Sequence, residues 1–131
     1  MKALVAVSML VLASCSNLPA KPSSDYSSQI KVAVVQHTGA KDAYLEVANG
    51  SASSVGVVVP LFVFSKSRYS KCGTGPIEVE GHLRKVPPSG KTDIPLGGLF
   101  QSNHYVGVFV YADGNSDQGD HCLVWSDNRM S

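Results

Sequence analysis

The chain has no apolar run long enough to remain in a bilayer. Crossing about 30 Å of hydrocarbon takes about 20 apolar residues in a helix, and the runs Ala3–Leu12 and Val55–Phe64 reach only ten. Charge is scarce too. Of 131 residues 16% are charged, and 11 Lys and Arg against 10 Asp and Glu leave a net charge of +1. A near-neutral domain lacks the basic footprint of a nucleic-acid binder, so no nucleic acid is expected as a partner. No segment carries a convincing helical stripe. Catalytic signatures are missing as well: no Ser nucleophile elbow, no free thiol set with a His, no paired-carboxylate motif. Glu78 and Glu80 alternate along one expected strand face, where solvation explains them. His37, His82, His104 and His121 lack the spacing of zinc ligands, and so do the cysteines. No catalytic residue, metal or cofactor is expected.

What the chain does have begins at its start. Lys2 supplies a positive charge, Ala3–Leu12 a short apolar stretch, and Leu12-Ala13-Ser14-Cys15 follows. A short charged and apolar leader of this kind fits an export signal, residues 1–14. The Leu, two small residues and Cys resemble the lipobox of bacterial lipoproteins. That resemblance, over about the first 15 residues, implies diacylglycerol on the Cys15 sulfur, cleavage before Cys15, and acylation of the new N-terminus. Each buried acyl CH₂ contributes about 0.8 kcal/mol, so several chains hold a small domain at a membrane. Ser16 stands where an Asp would resemble an inner-membrane retention signal. The implied location is the outer membrane of a bacterial envelope, facing the periplasm.

Losing residues 1–14 leaves enough chain for one domain. Lys2 leaves with them, so the basic side chains fall from 11 to 10 and balance the 10 acidic ones. With Cys15 taken by lipid, Cys72 and Cys122 remain as a pair in a compartment where disulfides persist. A bridge closing a loop of about 50 residues stabilises by about 4 kcal/mol in the chain-entropy model.

Residues 15–28, rich in Ser and Pro, read as a tether. From Gln29 to Ser131 the periodicity is that of strands. Ile30, Val32 and Val34 alternate with Lys31, Ala33 and Val35; Leu45 and Val47 alternate with Tyr44, Glu46 and Ala48. Val55–Phe64 is a continuous apolar strand in which Pro60 removes a ladder donor, so a bulge or bend is expected there. Ile77–Arg84 alternates most cleanly of all and reads as a strand with one face in the core. Thr92–Leu96, Tyr105–Tyr111 and Cys122–Trp125 complete about seven short strands, which predicts an all-β antiparallel sandwich. Strand, Pro-Ser-Gly-Lys turn, short strand and apolar strand over residues 83–111 resemble immunoglobulin-like domains in architecture. The Trp that true immunoglobulin domains place between their cysteines is missing, since Trp125 follows the second.

Asp113–Asp120 partly resembles a D-x-N-x-D calcium loop. Gln118 replaces the turn Gly and Val124 the bidentate Glu, so a polar hairpin loop is the expectation. The function expected is a non-catalytic protein-interaction module, a lipid-anchored component or accessory of an envelope, secretion or conjugation machine. Two alternatives stay open: an inhibitor of a hydrolase such as lysozyme, and a small-ligand binding lipoprotein. The expected contact region is a sheet edge or the loop Ser65–Pro76, where Tyr69 offers an aromatic anchor beside Arg68 and Lys71.

Overall fold

The computed structural model describes residues 26–36, 43–66, 71–78, 81–99 and 101–131. Eight strands occur among them: β1 (Ile30–Val35), β2 (Tyr44–Asn49), β3 (Val55–Val63), β4 (Cys72–Gly73), β5 (Arg84–Val86), β6 (Lys91–Pro95), β7 (Tyr105–Tyr111) and β8 (His121–Trp125). They form two antiparallel sheets, β1-β2-β6 and β4-β8-β7-β3-β5. The protein is an all-β sandwich. Its strand order is that of an immunoglobulin-like Greek key, with β1, β2 and β6 on one side and β3, β7 and β8 on the other.

Period-two patterning places the core. In β1 the residues Ile30, Val32 and Val34 are buried, and in β2 Leu45, Val47 and Asn49. Val32 lies opposite Val47, and Val34 opposite Leu45. From the second sheet Val57, Val106, Val108, Val110 and Val124 meet them in one cluster. Pro60 acts as the sequence requires: the β3–β7 register slips between Val58 and Leu61, and the bulge absorbs the missing donor. Pro95 is placed by the same logic. Asn49 N–H donates to Gly90 and Leu96 N–H to Ala43, so the even residues between them bond inward and Pro95 falls at an outward position where no N–H is needed.

Both ends are tied. Asn49, almost wholly buried, donates through Nδ2 to the carbonyls of Ser53, Val86 and Pro87 at 2.8, 3.1 and 3.1 Å. Its Oδ1 accepts from Ser51 N–H at 2.9 Å. One side chain thus joins β2, the start of β3 and the end of β5. At the other end the segment after β8 crosses between sheets. Asp127 N–H donates to Val32 at 2.8 Å, and the Asn128 amide both accepts from Val34 N–H and donates to Val34 C=O at 2.8 Å. Asn128 therefore stands in for a strand along the outer edge of β1, and Met130 is fully buried behind it.

Three expectations change. Tyr26 to Ser28 belong to the folded unit rather than the tether. Tyr26 packs on the core, its hydroxyl is shared between the carbonyls of Val110 at 2.5 Å and Asp120 at 3.3 Å, and Ser27–Gln29 form a 3₁₀ turn. Cys72, expected in a loop, starts the two-residue strand β4 and lies opposite Cys122, to which it is disulfide-bonded across 50 residues of sequence. Ile77–Arg84 is not a strand: among its described residues only Arg84 belongs to one. Ile77, Gly81 and Leu83 lie against the outer face of the five-stranded sheet. A Cβ on Gly56 would sit 2.7 Å from Leu83 Cδ1, and one on Gly81 3.2 Å from Val58 Cγ1. Gly75 and Gly81 adopt φ of 88° and 141°, values that turn the chain out of a strand path. The alternation in this segment is real, but its apolar side meets the face of a finished sheet instead of extending one.

Candidate functional site

The outer face of the five-stranded sheet follows from the alternation of β7. Val106, Val108 and Val110 enter the core, so Tyr105, Gly107, Phe109 and Tyr111 point the other way. Across from them on β8 stand Trp125, Leu123 and His121, opposite Gly107, Phe109 and Tyr111 respectively. On β3 Val58 stands opposite Phe109, Leu61 opposite Gly107, and Val63 opposite Tyr105. Nearly every residue on this face is apolar or aromatic, which is unusual for a sheet surface turned to water.

The face has two halves. Toward the Tyr26 end Ile77, Gly81 and Leu83 cover it, and Val58, Tyr111 and Leu123 are buried. His121 packs edge-on to Phe109 with ring centroids 6.0 Å apart, and at 5.5 Å from Tyr111. The Tyr111 hydroxyl is buried without a hydrogen-bond partner. Burial first, and the charge of Asp117 second, push this phenol above its ordinary pKa. The Ile77 backbone opposes the shift without reaching hydrogen-bond geometry.

Toward the other end the described chain leaves the face open. Leu61 is 40% and Phe64 67% exposed, and Tyr105 and Trp125 are half-buried. The Trp125 ring lies over Gly107, where a Cβ would come within 2.5 Å of it; only a residue without a side chain lets the indole lie flat there. Phe64 packs on His104 at 4.0 Å between centroids. Tyr105 has two cations near its ring, with Lys66 Nζ 5.1 Å and Arg129 Cζ 5.6 Å from the ring centre, within the range of cation–π attraction. Among the described residues neither cation makes an ion pair; Lys91–Glu46 at 3.4 Å does.

Of the residues expected to bind, Arg68 and Tyr69 lie outside the described residues, as does Cys15. Lys71 is exposed, and its carbonyl accepts from Leu123 N–H at 2.9 Å, which places it along the outer edge of β8. The loop Ser65–Pro76 begins at the open half, with Lys66. Phe64, His104, Tyr105, Trp125 and Arg129 were not singled out by the sequence. Phe64 reads as the end of an apolar strand and Arg129 as a tail residue; only the meeting of β3, β7 and the segment after β8 brings them together. Sheet alternation would have turned Tyr105 outward, but nothing local marks its two cations.

Elsewhere the geometry is more local. Asp113 Oδ1 accepts from Asn115 N–H at 2.9 Å, and Ser116 Oγ from Gln118 N–H at 3.1 Å, so the Asp113–Asp120 loop is built on turn chemistry. Among the described residues no three His, Cys, Asp or Glu converge as metal ligands. A groove of about 340 Å³ runs beside β3, lined by Val59, Gly81, His82, Arg84, Ile94 and Leu99. No family model, curated protein or solved structure matches the chain.

Proposed function

We propose that the protein is a lipid-anchored, non-catalytic interaction module of the bacterial envelope, and that it binds its partner through the open half of the outer sheet face. The observation that carries this reading is the contrast on that face. One half is covered by the chain's own Ile77, Gly81 and Leu83, while the other presents Leu61 and Trp125, with Phe64 at its end, beside two cations that make no ion pair among the described residues. Apolar surface rimmed by charge is the usual composition of a docking site, and aromatic and Arg residues are its usual anchors.

The position of the face agrees with an anchor at Cys15. The described chain starts at Tyr26, bonded to Val110 and Asp120. Tyr105 begins the seven-residue strand that ends beside Val110, about 20 Å away at about 3.4 Å per residue. Residues 16–25 would tether one end of the sandwich and leave the open half directed away from the membrane. Two measurements test the reading together. Labelling with a palmitate analogue should mark the wild type and not Cys15→Ser. After crosslinking in its own envelope, the tagged wild type should retain a partner that Phe64→Ala/Tyr105→Ala loses. Label on Cys15→Ser contradicts the anchor, and unchanged partner recovery with the double variant contradicts the surface.

A further inference from the structure

The open half carries a second feature besides its apolar area: two cations that make no ion pair among the described residues. Lys66 and Arg129 both lie near the Tyr105 ring, and His104 packs at a tilt on Phe64. The nearest carboxylate in sequence, Asp127, sits on a residue whose N–H is bonded into the three-stranded sheet at Val32. The two cations come from segments more than 60 residues apart and are held against one ring, which limits their freedom before anything binds. Both cations lie with their charged ends near the ring and remain exposed. Opposite in the fold, the β7–β8 loop carries Asp113, Asp117 and Asp120, with Lys85 packed beside Gly114.

We propose that the partner presents an acidic polypeptide segment to this surface, with carboxylates meeting Lys66 and Arg129 beside Tyr105 and apolar side chains lying on Phe64, Leu61 and Trp125. The proposal rests on the interaction-module reading and adds the chemistry of the partner. Charge complementarity selects an anionic occupant. The apolar row of Leu61 and Trp125 across Gly107 suits a chain with side chains to bury. A lipid surface suits it less, because the tethered end of the sandwich is the other one. A second copy, offering its Asp113–Asp120 loop, is the remaining anionic candidate.

Trp125 is the chain's one tryptophan, so its emission reports on this surface without a label. The mature lipidated protein is placed in phosphatidylcholine vesicles and titrated with a short Trp-free peptide that alternates Glu with Leu, and with the same peptide bearing Gln for Glu. The acidic peptide should shift Trp125 emission saturably, weaken steeply with added salt, and bind about tenfold or more worse to Lys66→Ala/Arg129→Ala. Equal binding of the Gln peptide, or no effect of the double substitution, overturns the proposal. Quenching of Trp125 by added vesicles of brominated phosphatidylglycerol, lost with the same substitutions, assigns the surface to lipid and overturns it. So does a concentration-dependent emission shift without peptide that Asp117→Asn/Asp120→Asn abolishes, which assigns it to a second copy. A partner crosslinked from position 64 through a region without Asp or Glu overturns the acidic chemistry and leaves the module reading standing, whereas absence of any crosslinked partner removes the module reading itself.

Discussion

The two halves of the outer sheet face differ in how their side chains are finished. Where the 77–83 segment crosses, the sheet carries Gly56 beneath Leu83, and the segment itself carries Gly81 against Val58. Chain lies on chain, and glycines let the backbones close. In the open half the one glycine, Gly107, is filled by the Trp125 ring from the neighbouring strand, and the row ends in Phe64, Tyr105 and two cations. A face that the fold meant only to bury would need neither cations nor an exposed phenyl ring. The difference teaches that similar apolar strand faces can be finished in two ways: one lies under a strap of the same chain, the other is left open by the described residues and is the surface proposed to bind.

The comparison breaks most severely if the strap is released. Cys72–Cys122 pins the chain just before Gly75. The pair Cys72→Ser/Cys122→Ser should lower unfolding free energy by about 4 kcal/mol, the entropy of closing a loop of about 50 residues. Urea denaturation measures it. Amide exchange should then rise first over 77–83, with the open half unaffected; uniform loss of protection would mean that the halves are not distinct.

Next in size come the glycines. Gly107→Val forces the Trp125 ring off the sheet, and Gly56→Val forces Leu83 off it, each destabilising by about 1–3 kcal/mol through overpacking. The two should separate by probe. Gly107→Val should change Trp125 emission in the folded state, and Gly56→Val should leave it unaltered.

Tyr111→Phe has a smaller effect of opposite sign. It removes a buried hydroxyl that has no partner, and should stabilise by about 1 kcal/mol. It should also change the alkaline branch. Below the ordinary phenol pKa of 10.0 the group is neutral in folded and unfolded chains alike. Above it the unfolded phenol ionises first, because burial raises the folded one, so wild-type stability falls as pH rises past 10.0. The Tm difference between the two proteins should stay constant below that alkaline window and widen only within it.

Much of this architecture was legible in the chain. The alternation of Ile30, Val32 and Val34 and the bulge demanded by Pro60 gave strands with correct faces, because period two and a missing N–H act locally. The bounds of β7 were readable for the same reason. The strap was not. Ile77–Arg84 alternates as a strand does, and alternation tells which side is apolar without telling whether that side meets a core or the back of another sheet. Asn128 acting as an edge residue for β1, and Asn49 reaching the carbonyls of Val86 and Pro87, depend on partners 37 to 94 residues away and leave no periodic trace. The surface at Tyr105 is of this kind too: its residues are ordinary alone, and only their assembly has meaning.

The smallest expected effect on stability belongs to the two cations proposed to bind. Lys66→Ala and Arg129→Ala should each change unfolding free energy by less than about 0.5 kcal/mol, as exposed charges outside a network do. A larger loss would mean that they hold the fold together rather than face a partner.

The two-halves account is tested most directly by photocrosslinking in the native envelope, with a photoreactive residue placed in turn at Phe64 and at Glu78. Both positions are exposed, one on the open half and the other on the strap that covers its counterpart. The account predicts a discrete crosslinked partner from position 64 and none from position 78. Crosslinking to the same partner from position 78, with position 64 silent, would contradict it.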